Sequence, residues 1–226
     1  MTGNISWETY RKEAMRNLSL MSRTANGIVS VATAKGKEED MLVGSDPETR
    51  GLANRNYERA MRQAYEALDR EFSSPKELED FIRELVCIIN DGIVKPECFF
   101  RTREISRHLP VAELPAHFSW FCGQLYERFG AGRANPWETA CFIEFQIDAL
   151  AHFFADGCGK VSKLLSSCAL MRAGEHLPAY KGRDEYYAVW DSLPYPRRDP
   201  RFYHGFWAYY QTLIPMSSSS VKPRSD

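Results

Sequence analysis

The chain has 226 residues, 29 Lys+Arg against 30 Asp+Glu, and a formal net charge of −1. With 44% hydrophobic and 26% charged residues it has an ordinary globular composition, which excludes a mainly disordered, collagen-like or low-complexity protein. The length suits one domain, with or without a small appendage, and the charge balance excludes recognition by bulk charge, so nucleic acid is not an expected partner.

Taken in order, the chain predicts a series of helices. Trp7, Tyr10, Met15, Leu18 and Met21 recur at helical spacing between Ile5 and about Ser22. Ala34 to Arg50 is rich in Gly, Pro and charge and reads as a surface loop. Leu52 to Phe72 is amphipathic, with Tyr57, Met61, Tyr65 and Leu68 on one stripe. Ser74-Pro75 opens a helix that Asp91-Gly92 closes. Phe99 to Ile105, between Pro96 and Pro110, reads as a short strand or hairpin. Helices follow over Pro115–Phe129, from Asn135 to about Phe154, and from the break at Asp156–Gly159 to Gly174. Asp184–Leu193 and Arg201–Leu213 are two shorter ones, with Arg197 to Arg201 a solvated linker between them. Tyr57, Tyr65, Trp120, Trp137 and Trp190 are expected in the core, and the residues from Pro215 onward as a disordered tail. The fold class is therefore mainly α.

The six cysteines, Cys87, Cys98, Cys122, Cys141, Cys158 and Cys168, show no C-x-x-C spacing and read as reduced packing residues of a cytosolic protein. The polar N-terminus shows no signal peptide, and no apolar run approaches the roughly 20 residues of a membrane span. A cytoplasmic location without a membrane partner is expected.

The break between the two apolar helices reads His152-Phe153-Phe154-Ala155-Asp156-Gly157-Cys158-Gly159-Lys160-Val161-Ser162-Lys163. A Gly-x-Gly turn feeding a helix exposes backbone N–H groups at the positive end of the helix dipole, which suits phosphate. Lys160 and Lys163 add positive charge one turn apart. Asp156 is an oxygen ligand suited to magnesium, and His152 is a candidate general base beside the same turn. Together they make a coherent phosphoryl or nucleotidyl transfer site. His108 is a further candidate contact near the Phe99–Ile105 stretch.

This segment resembles the motif of the Fic family, H-x-F-x-[D/E]-G-N-G-R-x-x-R. His152, Phe154, Asp156, Gly157 and Gly159 match it; Cys158 stands for Asn, and Lys160 and Lys163 for the two Arg. Leu170–Gly174, Arg183–Tyr187 and Phe99–Ile105 resemble the family's post-motif helix end, its following segment and its flap hairpin. The resemblance implies a Fic fold with a short β-hairpin flap. Its divisions would be 1–50 for an N-terminal helix and loop, 51–195 for the Fic domain, 196–214 for a C-terminal helix and 215–226 for the tail.

The resemblance also implies transfer of AMP, or a related phosphate-containing group, from ATP or another nucleotide to a Ser, Thr or Tyr hydroxyl of a protein. His152 would be the base, and Asp156 would hold Mg²⁺. Gly157, Cys158 and Gly159 would wrap the phosphates, with Lys160 and Lys163 on the outer ones. Phe100, Arg101, Thr102 and Arg103 of the flap would bind the target as an added strand. Ser22, Asn26 and Gly27 resemble the inhibitory pattern [S/T]-x-x-x-E-[G/N], with Asn26 in the place of its Glu. Cys158 offers only a weak S–H donor, and Lys lacks the planar fork of Arg. The alternative is therefore a weak or inactive Fic-like protein that binds a nucleotide or a partner. Self-association and delivery into another cell are left open.

Overall fold

The structure, a computed structural model, describes residues 5–21, 47–95, 97–130 and 134–215. Ser22, Asn26, Gly27, most of the expected 34–50 loop and the tail beyond Pro215 lie outside the described residues. The described helices are α1 (Trp7–Met21), α2 (Pro47–Glu66), α3 (Pro75–Asn90), α4 (Leu114–Gly130) and α5 (Pro136–Glu144). A π-helical segment (Phe145–Ala151) continues α5, followed by α6 (Cys158–Arg172), α7 (Arg183–Ser192) and α8 (Pro200–Gln211). The mainly α architecture is as expected.

Local chemistry sets the helix starts. Ser74 accepts from the Glu77 N–H at 3.2 Å, while the Glu77 carboxylate returns to the Ser73 N–H at 2.7 Å and Ser73 hydroxyl at 2.6 Å. These bonds, then Arg70, hold Glu77 down to about 2. Asn135 caps α5 and Asp199 caps α8, each followed by proline in the first turn. Helix α2 begins at Pro47, inside the expected loop, and stops at Glu66 instead of running to Phe72. Arg172 Nη1 takes the carbonyls of Leu68 and Arg70, at 2.7 and 2.9 Å, and so stabilises the turn that replaces another helical turn.

Helix α6 is central. It is buried on nearly every side and packs against α1, α2, α3 and α5. The serines that face inward are satisfied within the fold: Ser162 donates to the Gly159 carbonyl and Ser167 to the Lys163 carbonyl. A second layer of aromatic rings, Phe99, Phe118, Phe121, Phe153 and Phe154, packs edge to face or tilted beneath the motif. Trp120 is a correction, because it is 47% exposed. The buried stripe of α4 runs through Leu114, Phe118, Phe121, Cys122 and Leu125, and Trp120 falls off that stripe. Tyr57, Trp137 and Trp190 are buried as expected.

Candidate active site

His152 marks the end of the long α5–π element, earlier than the Phe154 end read from the sequence. The helix stops because donors from elsewhere capture its last carbonyls. Arg197 Nη1 takes the Ala149 carbonyl at 2.7 Å, and the Leu109 N–H takes Leu150 at 3.1 Å. Arg101 takes Ala151 with Nη2 at 3.2 Å and His152 with Nε at 2.8 Å. His152 then turns left-handed, at φ 49° and ψ 59°, a conformation uncommon outside glycine. That kink lifts the imidazole, 33% exposed, away from the helix axis.

The next residues are extended and pair with the Phe99–Arg101 stretch. Phe100 bridges Phe154 in antiparallel fashion, through Arg101 N–H to the Phe153 carbonyl at 2.9 Å and Ala155 N–H to the Phe99 carbonyl at 3.1 Å. Among the described residues this one pairing replaces the expected two-stranded flap. It is built against the motif rather than free of it, because Phe99 and Phe100 are anchored in the aromatic layer. Arg101 is likewise corrected from a target-binding residue. It is 3% exposed, and besides the two carbonyls at the helix end it donates to those of Arg103, at 2.5 Å, and Leu109. Thr102 and Arg103 are exposed, and Phe154 is fully buried.

The turn before α6 requires glycine at 157. Gly157 has φ 79°, and a Cβ there would lie 3.1 Å from Ile89 Cγ2 and 3.2 Å from Asn90 Oδ1. Asn90 fastens the turn from α3 by donating to the Asp156 carbonyl at 3.2 Å. The N-cap of α6 is Gly157, which has no side chain to cap it. Among the described residues, the N–H groups of Gly159 and Lys160 have no acceptor, and the Asp156 carboxylate and Lys160 ammonium have no bonded partner. Lys160 is nonetheless 7% exposed. Cys158 points inward: it is 2% exposed, and its Sγ accepts the Phe154 N–H at 3.2 Å. The cysteine thus braces the motif loop from beneath.

Around His152 the structure gathers residues that the sequence reading did not combine. Asp148, 2% exposed, places Oδ1 3.8 Å from His152 Nδ1, while Oδ2 accepts the Tyr187 hydroxyl at 3.3 Å. The His108 ring lies 5.1 Å from that of His152, with its Nε2 2.7 Å from Arg197 Nη1. Burial, then the neighbouring His152, Arg197 and Arg101, push His108 down to about 3, so it is neutral near pH 7. Arg197 is therefore part of the site wall rather than of a solvated linker.

Lys163 is not brought to the turn. Its Nζ bonds Glu144 Oε2 at 2.5 Å, with side-chain exposures of 7% and 0%. The ammonium also lies 4.0 Å from the Tyr186 ring centroid and 5.1 Å from that of Tyr180. Glu144 further accepts hydroxyls from Ser166 at 2.9 Å, Tyr186 at 2.9 Å, Tyr210 at 2.7 Å and Tyr180. Burial first, then the Glu144 charge, raises all three tyrosines well above their ordinary value. An acid inside the apolar run Phe142-Ile143-Glu144-Phe145 was the available signal for this cluster. The serine and tyrosines that complete it come from distant positions in the chain.

The structure thus brings His152, Asp156, Gly157, Gly159 and Lys160 to one turn, and turns Cys158, Arg101 and Lys163 into the interior. No protein-family model matches the sequence, and no curated protein matches it. Solved structures do. The chain is similar to a Fic domain containing signaling protein from Bacteroides thetaiotaomicron, with TM-score 0.62 and 14% identity over 94% of this chain and 88% of that one. It is also similar to Fic-1 from C. elegans, with TM-score 0.56 and 17% identity over 93% of this chain and 66% of that one. A Fic family protein from Desulfovibrio desulfuricans G20 matches with TM-score 0.50 and 14% identity, over 92% of this chain and 66% of that one. From the helical arrangement and these likenesses together, the chain has the fold of the Fic family.

Proposed function

We propose that the protein transfers AMP, or a related phosphate-containing group, from a nucleotide to a Ser, Thr or Tyr hydroxyl of a protein. The observation that carries this reading is the placement of a kinked, half-exposed His152 beside a glycine turn that offers unpaired N–H groups and Lys160. A base and an anion cradle on one turn are what an in-line displacement at phosphorus needs. His152 takes the proton of the attacking hydroxyl. The N–H groups of Gly159 and Lys160, with the Lys160 ammonium, hold the phosphate oxygens as charge builds. Asp148 and Tyr187 restrain the imidazole from behind, and Arg101 fixes its backbone.

Magnesium fits the donor set. The half-buried Asp156 carboxylate has no bonded partner among the described residues, and magnesium commonly takes one or two carboxylates together with substrate phosphates. No cluster of three or more His, Cys, Asp or Glu exists among the described residues, so the phosphates would complete the coordination. When bound, the ion would neutralise phosphate charge. Among the described residues no helix is long and apolar enough to cross a membrane.

The test is transfer of an α-labelled nucleotide to the protein itself or to proteins of an extract. Labelling that His152→Ala abolishes supports the reading. Magnesium-dependent nucleotide binding without transfer would replace it with the reading of a binding protein, and neither binding nor transfer would refute both.

A further inference from the structure

We propose that Asp148 is the positioning residue of His152: it fixes the imidazole with Nδ1 protonated, turns Nε2 to the target hydroxyl, and balances the charge the ring gains on taking that proton. The inference rests on the proposed transfer function and goes beyond restraint of the ring, to its tautomer and its charge.

Asp148 is 2% exposed in the apolar run Ile147-Asp148-Ala149-Leu150, and an ionised carboxylate so buried needs a partner. The contrast is Glu144, one turn earlier on the same element, whose carboxylate is saturated by Lys163 and four hydroxyls. Asp148 Oδ2 accepts the Tyr187 hydroxyl at 3.3 Å, and Oδ1 faces His152 Nδ1 at 3.8 Å. Tyr187 is itself covered by Arg183, whose guanidinium lies 4.6 Å from the ring centroid. The Asp148–Tyr187 pair stands over the first turn of α6, 3.8 and 3.9 Å from where a Cβ of Gly159 would sit. The π-helical stretch carries Asp148 and ends at His152, so the departure from α-helical register falls on the residues that set their spacing. Such stretches are frequent at functional sites.

The charges around the ring call for this carboxylate. His108, from the loop before α4, lies 5.1 Å from His152 between ring centroids. Arg101, beside the Phe100 bridge, and Arg197, before α8, disfavour a proton on His108, and the same positive field reaches the neighbouring His152. Asp156 and Lys160, of opposite sign, stand at the turn into α6, while Arg107 and Asp191 pair with each other at 3.4 Å. An imidazolium formed beside Arg101 and Arg197 is disfavoured, and Asp148 supplies the offsetting charge from the Nδ1 side. At 3.8 Å the pair is longer than a hydrogen bond, as catalytic pairs commonly are before the substrate complex tightens them. In the transfer step the target hydroxyl oxygen bonds to phosphorus while the bond from that phosphorus to the leaving oxygen breaks. The hydroxyl proton passes to Nε2, Nδ1 keeps its own, and Asp148 stays ionised. The division of work between an orienting acid and a histidine base is the one that serves other hydroxyl nucleophiles.

The test is an NMR titration of the full chain with isotope-labelled histidine in magnesium-free buffer. The chain has five histidines, and His152 is assigned by the signal missing from His152→Gln. The neutral ring should be the Nδ1–H tautomer, and Asp148→Asn should lower its titration midpoint by about one pH unit. In transfer assays Asp148→Asn should slow labelling on the order of tenfold or more, with nucleotide binding retained. It should also move the acid limb of the pH–rate profile to lower pH, whereas an Asp148 that only holds the fold would lower the plateau and leave that limb in place. The wild-type tautomer is read without any variant, so it decides the matter even where Asp148→Asn fails to fold. An Nε2–H ring would overturn the inference, and so would an unmoved midpoint; either leaves His152-dependent labelling, and with it the transfer reading, standing. The expected tautomer in a chain that labels no target would overturn the transfer reading and the role of Asp148 with it.

Discussion

Two polar clusters sit at opposite ends of the same few residues of α6, and they are built on different principles. At the turn, Lys160 and Asp156 lack bonded partners among the described residues, and His152 stands half exposed. One turn on, Lys163 and Glu144 are sealed, and the carboxylate takes five donors. The first arrangement leaves bonding capacity for something outside the chain; the second uses all of it inside. A buried ion pair is weak evidence of stability when compared with an apolar core, yet breaking one is costly. The sealed cluster is therefore read as a structural centre that joins α5, α6, α7 and α8, and the open one as the place of chemistry.

Substitutions should separate the two. The largest effect is expected at the open end, where His152→Ala should lower labelling by about 10²–10⁴-fold with no change in unfolding midpoint. A matching fall in stability would break the distinction. At the sealed end, Glu144→Ala should cost about 3–5 kcal/mol in urea unfolding, since it leaves Lys163 buried without its anion. A cost near that of a surface pair, below about 1 kcal/mol, would show that the cluster is solvated.

Arg101→Met sharpens the comparison, because Arg101 is itself buried yet holds the open region through the carbonyls of Ala151 and His152. It should lose about 1–3 kcal/mol and also slow transfer, since the backbone of His152 loses its brace. The smallest effect is a slope. His108 sits at about 3 in the folded chain against an ordinary 6.5, so between those values the unfolded chain binds the extra proton. The stability tied to its neutral form is complete above that window and is lost as pH falls through it. His108→Gln should flatten the dependence of unfolding free energy on pH within that window. An unchanged slope would show that the ring is not buried neutral.

The helices were legible wherever their ends carried local chemistry. Ser74-Pro75 and Asn135-Pro136 announce α3 and α5, and both caps form as read. The motif was legible because glycine at 157 is imposed by a positive φ and a crowded neighbour, which leaves a mark on the sequence itself. The fate of Lys163 was not legible. Its carboxylate partner lies 19 residues away, and one hydroxyl of the cluster comes from 66 residues beyond Glu144. No local pattern records such a meeting. Arg197 misled for the same reason: in a run of charge and proline it reads as solvated, but folding carries it to the carbonyl of Ala149. Asp199, in that same run, is a helix cap next to Pro200, a local signal of the same kind as those at α3 and α5.

The Arg101 strut has a consequence for the order in which the molecule assembles. Its partners Ala151 and His152 lie 50 and 51 residues along the chain. Closing so long a loop costs entropy that no single hydrogen bond repays, so the strut locks only after the neighbouring helices have met. The geometry of the candidate site is therefore among the last features to form and among the first to let go. A chain can hold its helices and still lack a correctly turned histidine, so that on warming the turn at His152 is expected to loosen before the bundle is lost.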